Sequence, residues 1–113
     1  MTDRRITADE VIAAYQKTGL RPVIRKYLDV DCGCPLSALY FSEHPDAPRG
    51  ASGANTVEWA EDTYGTLYRL GFVDGFDYMC PRGSFGRMLE GESDGIAVRK
   101  ALEANGMLEV SDD

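Results

Sequence analysis

The sequence predicts an all-α, or nearly all-α, domain of about five short helices, two of them crossing at GxxxG patches. Three observations carry this. A five-residue pattern occurs twice, as Gly71-Phe72-Val73-Asp74-Gly75 and as Gly91-Glu92-Ser93-Asp94-Gly95. Apolar residues recur at helical spacing around both copies. Helix start and stop signals punctuate the chain at short intervals.

The repeated pattern has an energetic meaning. Gly inside a helix costs about 1 kcal/mol against Ala, so four of them need a compensating contact. Gly at i and i+4 clears side chains from one patch, and a second backbone can then approach closely, held by dispersion and weak Cα–H···O contacts. Tyr68, Gly71, Phe72, Gly75, Phe76 and Met79 fall on one helical stripe, with Arg69, Asp74 and Asp77 off it. Met88, Gly91, Gly95, Val98 and Leu102 make a second stripe, diluted at its edge by Glu92 and Ser93. The two glycine faces are expected to meet.

Taken in order, the first helix spans about 7–18. Thr7 and Glu10 have capping-box spacing, and Ile6 with Val11 supplies a hydrophobic staple. Val11, Ala14 and Tyr15 form its apolar face. Gly19 is the expected left-handed residue beyond its end, with Tyr15 and Leu20 placed for a Schellman contact, and Pro22 prevents continuation. Val23 to Asp31 fits a short strand or one helical turn with Ile24 over Leu28, and reads as extended or irregular, packed on the core. Pro35 suits the first position of a second helix, with Cys34 as its N-cap. Leu36, Leu39 and Tyr40 give that helix one apolar face, ending near Ser42.

Residues 43–54 hold Pro and Gly and read as a mobile loop. Asn55 and Glu58 then open a third helix, lined by Val57, Ala60 and Tyr64 with Trp59 at its margin. Gly65 ends it, and Thr66 caps the fourth. Pro81-Arg82-Gly83 is a turn, and Ser84 caps a last helix running to Ala104. Gly106, Leu102 and Met107 are placed for a Schellman stop. The acidic tail, 109–113, is expected to fray.

The chain of 113 residues is of single-domain size, and its 43% hydrophobic content is that of a globular protein. A net charge of −7, from 19 acidic and 12 basic residues, argues against a nucleic-acid partner. No run approaches the ~20 apolar residues of a membrane span. The charged stretch Asp3, Arg4, Arg5 after Met1 does not read as a signal peptide, so a cytoplasmic location is expected, and an odd count of three cysteines fits it.

The residues Asp31-Cys32-Gly33-Cys34-Pro35-Leu36, the run Gly71-Phe72-x-x-Gly75-Phe76-Asp77 and the final Gly91-x-x-Asp94-Gly95-x-Ala97-x-Arg99 resemble those of a group of small, uncharacterised bacterial proteins. The resemblance covers roughly the whole chain and implies no activity, cofactor or catalytic residue.

Chemistry has two candidate locations. Cys34 at a helix N-terminus would feel the positive end of the macrodipole, which lowers a thiol pKa. Cys32, Cys34, His44 and Cys80 supply the donors of a Cys₃His zinc site, but paired CxxC knuckles are missing. The competing reading is that the cysteines are small buried hydrophobes, and no stoichiometric zinc and no cofactor are expected. Asp74 and Asp94 flank the glycine crossing. They could approach one another and share a cation, or pair with Arg69 and Arg99. No Ser-His-Asp grouping, P-loop or metalloprotease helix is present, and the one His lies in a Pro-flanked loop.

The expected role is therefore a non-enzymatic one, binding a protein or a second copy of the chain. Trp59, Tyr64 and Arg69 are the expected contact residues because they sit at the edges of helical stripes. Tyr, Trp and Arg are the residues that interfaces concentrate. A thiol-reactive or zinc-binding protein is the alternative.

Overall fold

The computed structural model describes residues 4–23, 32–47, 53–79 and 86–108. Among them are five helices: α1 (Ala8–Thr18), α2 (Pro35–Glu43), α3 (Gly53–Tyr64), α4 (Thr66–Tyr78) and α5 (Gly86–Ala104). The all-α class read from the sequence is the observed one. No described helix is long and apolar enough to cross a membrane.

α1 begins as its sequence dictates. The Thr7 hydroxyl accepts the Glu10 N–H at 3.3 Å, and both staple residues, Ile6 and Val11, are buried. Its end differs in detail from the expected Schellman motif. Gly19, at φ +74°, donates its N–H to the Tyr15 carbonyl at 2.9 Å. The Leu20 N–H turns to the Thr18 hydroxyl at 3.3 Å. The hydroxyl intercepts the second bond, leaving the simpler left-handed cap. At the end of α5 both bonds form: Met107 N–H to the Leu102 carbonyl at 2.9 Å, and Gly106 N–H to the Glu103 carbonyl at 3.1 Å.

The residues on either side of the stretch from Val23 to Asp31 pair with one another. Arg21–Pro22 (β1) pairs in parallel with Cys32–Gly33 (β2), Arg21 opposite Cys32 and Pro22 opposite Gly33. Tyr15 secures the pair by donating its hydroxyl to the Gly33 carbonyl at 2.8 Å. Residues 24–31, the turn at 81–83 with its Ser84 cap, and the tail 109–113 lie outside the described residues.

α2 departs from the single apolar face expected of it. Pro35, Leu36, Ser37, Ala38, Leu39 and Phe41 are all buried, because the helix lies between α1 and α3 and has little surface left for solvent. Its buried hydroxyl, Ser37, meets the Thr56 hydroxyl of α3 at 3.3 Å, which satisfies both. The helix runs through Glu43, and α3 starts at Gly53, ahead of the Asn55 expected as its cap. The segment between is thus shorter than 43–54, and of it residues 48–52 are not described.

A single residue joins α3 to α4. The Gly65 N–H closes the last turn of α3 on the Glu61 carbonyl at 2.9 Å, while its own carbonyl accepts the Arg69 N–H at 3.1 Å to open α4. That double duty requires φ +93°, a conformation that glycine alone adopts readily. Thr66 is therefore the first residue of α4 and not its cap.

α4 and α5 cross at their glycines, and they run in the same direction. Just ahead of α4 Tyr64 meets Arg87, and in its last turn Phe76 meets Arg99, each pair 23 residues apart. Between them Gly91 faces Tyr68 and Phe72, and Gly95 faces Phe72 and Phe76. A Cβ on Gly91 would sit 2.7 Å from the Phe72 nitrogen, and one on Gly75 would sit 3.0 Å from the Glu92 Cα. Only backbone fills these gaps, so the crossing depends on the missing side chains. Tyr68, Phe72 and Phe76 from α4 and Val98 and Leu102 from α5 continue the contact into the buried core.

Candidate functional site

On α3, Asn55, Glu58, Trp59 and Asp62 recur at i, i+3, i+4 and i+7, which places them on one helical face. Opposite lies Tyr40 of α2. These five residues line an open cleft of about 260 Å³. The Tyr40 and Trp59 rings stand 5.9 Å apart at 65°, two walls of a corner. His44, one turn beyond Tyr40, stacks on it at 4.7 Å and sets its Nδ1 3.0 Å from the Tyr40 carbonyl. Glu58 and Asp62 are exposed, whereas Trp59 is part-buried.

The cleft is braced from behind. Trp59 meets Tyr64 edge to face at 5.8 Å, Tyr64 stacks on Tyr68 at 5.6 Å, and Tyr68 lies over Phe72 at 6.3 Å. A continuous ladder of rings thus runs from the exposed corner to the glycine crossing. At its inner end the Tyr68 hydroxyl donates to Asp94 at 2.5 Å and accepts the Ile6 N–H at 2.7 Å. Burial first, then the Asp94 bond, raises the Tyr68 pKa well above the ordinary tyrosine value. Arg5 holds the same carboxylate with two bonds of 2.8 and 2.9 Å. Tyr64, 1% exposed, has no hydrogen-bond partner for its hydroxyl among the described residues, and burial pushes its pKa up to about 12.

The expected contact trio does not form an exposed patch. Trp59 reaches the surface, but Tyr64 is interior and Arg69 is 12% exposed, its Nε and Nη2 both 3.1 Å from Glu61 Oε2. Edge positions of a stripe face solvent only when no neighbouring helix covers them, and here the bend at Gly65 folds α4 against α3. Of the two aspartates, Asp94 pairs with Arg5 and Tyr68 and not with Arg99. Arg99 instead reaches the Phe76 carbonyl at 2.7 Å. Asp74 is part-buried on α4.

The thiol argument is reversed for Cys34. It does stand at the N-cap of α2, but it is enclosed, and desolvation pushes its pKa up to about 11, outweighing its bonds to Ser37. The Cys32 side chain and Cys80 lie outside the described residues. Among the described residues no group of three His, Cys, Asp or Glu is placed to hold a metal ion.

A second, larger cavity of about 560 Å³ opens at the Gly65 joint, between Glu61, Thr66, Leu67 and Arg87. Arg87 is already engaged there by the Tyr64 and Arg4 carbonyls, both at 2.8 Å, and by Glu90 at 3.0 Å. Sequence reasoning missed Tyr40, Glu58 and Asp62 as neighbours of Trp59. The signal was the polar face of α3, which shares Trp59 with the apolar stripe. No protein-family model, curated protein or solved structure matches the chain.

Proposed function

We propose that this domain is a non-catalytic protein-interaction module that engages its partner through the Trp59 cleft. The observation that carries this is a part-exposed Trp, walled by Tyr40 and backed by buried rings. Trp and Tyr anchors give large contact area for little conformational entropy, and a braced side chain has less freedom left to lose on binding. An open corner flanked by exposed carboxylates does not exclude water, which argues for recognition over acid–base chemistry.

Selection of a displayed random-peptide library on the immobilised protein tests this. Enriched peptides are expected to lose binding to Trp59→Ala, checked for a retained cooperative melt, and to keep it for Leu89→Gln, which alters an exposed residue of α5. No enrichment over background, or enriched peptides indifferent to Trp59, would overturn the proposal.

A further inference from the structure

We infer that the Trp59 cleft takes one cationic side chain, a lysine-type ammonium or an arginine guanidinium presented by the partner. The inference rests on the interaction reading of the same cleft and specifies its ligand chemistry. Size comes first. Pockets for drug-sized ligands begin at about 300 Å³, and this one holds about 260 Å³ while open to solvent, room for one long side chain. The walls come second. Two aromatic rings at 65° and 5.9 Å form the corner of a cage, and the negative faces of such rings attract an organic cation.

Charge decides the sign of the ligand. Glu58 and Asp62 stand one helical turn apart on the face that lines the cleft, and like charges at i, i+4 repel one another. No described lining residue is basic, so nothing among them offsets that repulsion. A cation between the carboxylates would relieve it and lie against the rings at once. A sugar would also stack on Trp, but it is neutral and would leave the carboxylate repulsion in place. The acidic balance of the chain, −7, favours the same class of partner at longer range.

The single Trp makes the test direct, since its emission and its indole N–H resonance report on this cleft alone. The probes are the Nα-acetyl amides of lysine, trimethyllysine and arginine. Their neutral counterparts are norleucine and Nε-acetyllysine, and all are titrated at constant ionic strength. Saturable shifts are expected with the cationic probes and affinities on the order of tenfold lower with the neutral ones. The Glu58→Gln/Asp62→Asn double variant should lose that preference. Trp emission reads this without requiring Trp59 to be replaced. The order among the three cations assigns the head group.

Equal binding of neutral probes, or no saturable shift with any cation, would overturn the inference. The two readings fail separately. Displayed peptides that depend on Trp59 but carry no basic residue would sink the cation and spare the interaction. Cationic probes that bind where no peptide is enriched would do the reverse.

Discussion

Gly91→Ala tests the crossing of α4 and α5 through the sign of its effect. The added Cβ would lie 2.7 Å from the Phe72 nitrogen and 3.1 Å from the Tyr68 carbonyl carbon. Both are backbone atoms, so no rotamer change relieves the contact and α4 must move as a unit. Helix propensity alone favours Ala by about 1 kcal/mol. Overpacking costs about 1–3 kcal/mol, and separating the helices also forfeits dispersion along the whole crossing. The second effect wins, with a net loss of about 1–2 kcal/mol. At about 4 °C per kcal/mol for a domain of this size, Tm should fall by about 4–8 °C. Thermal melts followed by circular dichroism and calorimetry measure it. Ser93→Ala, exposed on the same helix, is the control in which propensity acts without a clash. A Tm for Gly91→Ala at or above wild type would refute the close approach. Gly75→Leu, opposite Glu92, should cost more than Gly91→Ala.

Three further outcomes follow from the interior. Tyr64→Phe removes a buried hydroxyl without a partner among the described residues and should be neutral or slightly stabilising, whereas Tyr68→Phe leaves Asp94 short of a donor and should cost about 1.5–3 kcal/mol. Urea titration of the two variants checks the contrast, and equal effects would contradict it. Tyr64 ionises at about 12 in the fold and at about 10 in an unfolded chain. Its contribution to stability is therefore complete below pH ~10 and is lost as pH rises toward ~12, because the unfolded state releases a proton the folded state keeps. Melts across that window should show falling Tm, less steeply in Tyr64→Phe. Cys34 should resist alkylation in the native protein and react on unfolding, as read by mass mapping of that residue; rapid native labelling would contradict its burial.

The elements written locally were legible in the sequence, and those set by neighbours were not. Thr7, Gly19 and Gly106 define their helix ends through bonds spanning three to five residues, so the pattern alone predicts them. The glycine faces were legible because only a close backbone contact offsets four unfavourable residues. Whether the helices ran in the same or opposite directions was not, since both leave the same stripe. Burial of α2 on nearly every side depends on α1 and α3 together, and nothing in its own residues states it. Asp94 found Arg5 from 89 residues away, where sequence proximity pointed to Arg99. At the site Trp59 was legible as an aromatic residue at the edge of its helical stripe. Its carboxylate neighbours did not, because a charged helix face usually reads as a solvated one.

The shared direction of α4 and α5 has an electrical consequence. Antiparallel neighbours set the positive end of one helix dipole beside the negative end of the other, but these two bring like ends together. Their negative ends meet near Phe76 and Arg99, where carbonyls of the last turn of α4 would crowd without a counter-charge. Arg99 supplies it, donating to the Phe76 and Asp77 carbonyls at 2.7 and 3.3 Å while standing 3.7 Å from Glu103 of α5. The glycines that let two backbones touch thus oblige a cation at the far end of the pair, and a neutral residue at position 99 would leave the crossing electrically open even with every glycine in place.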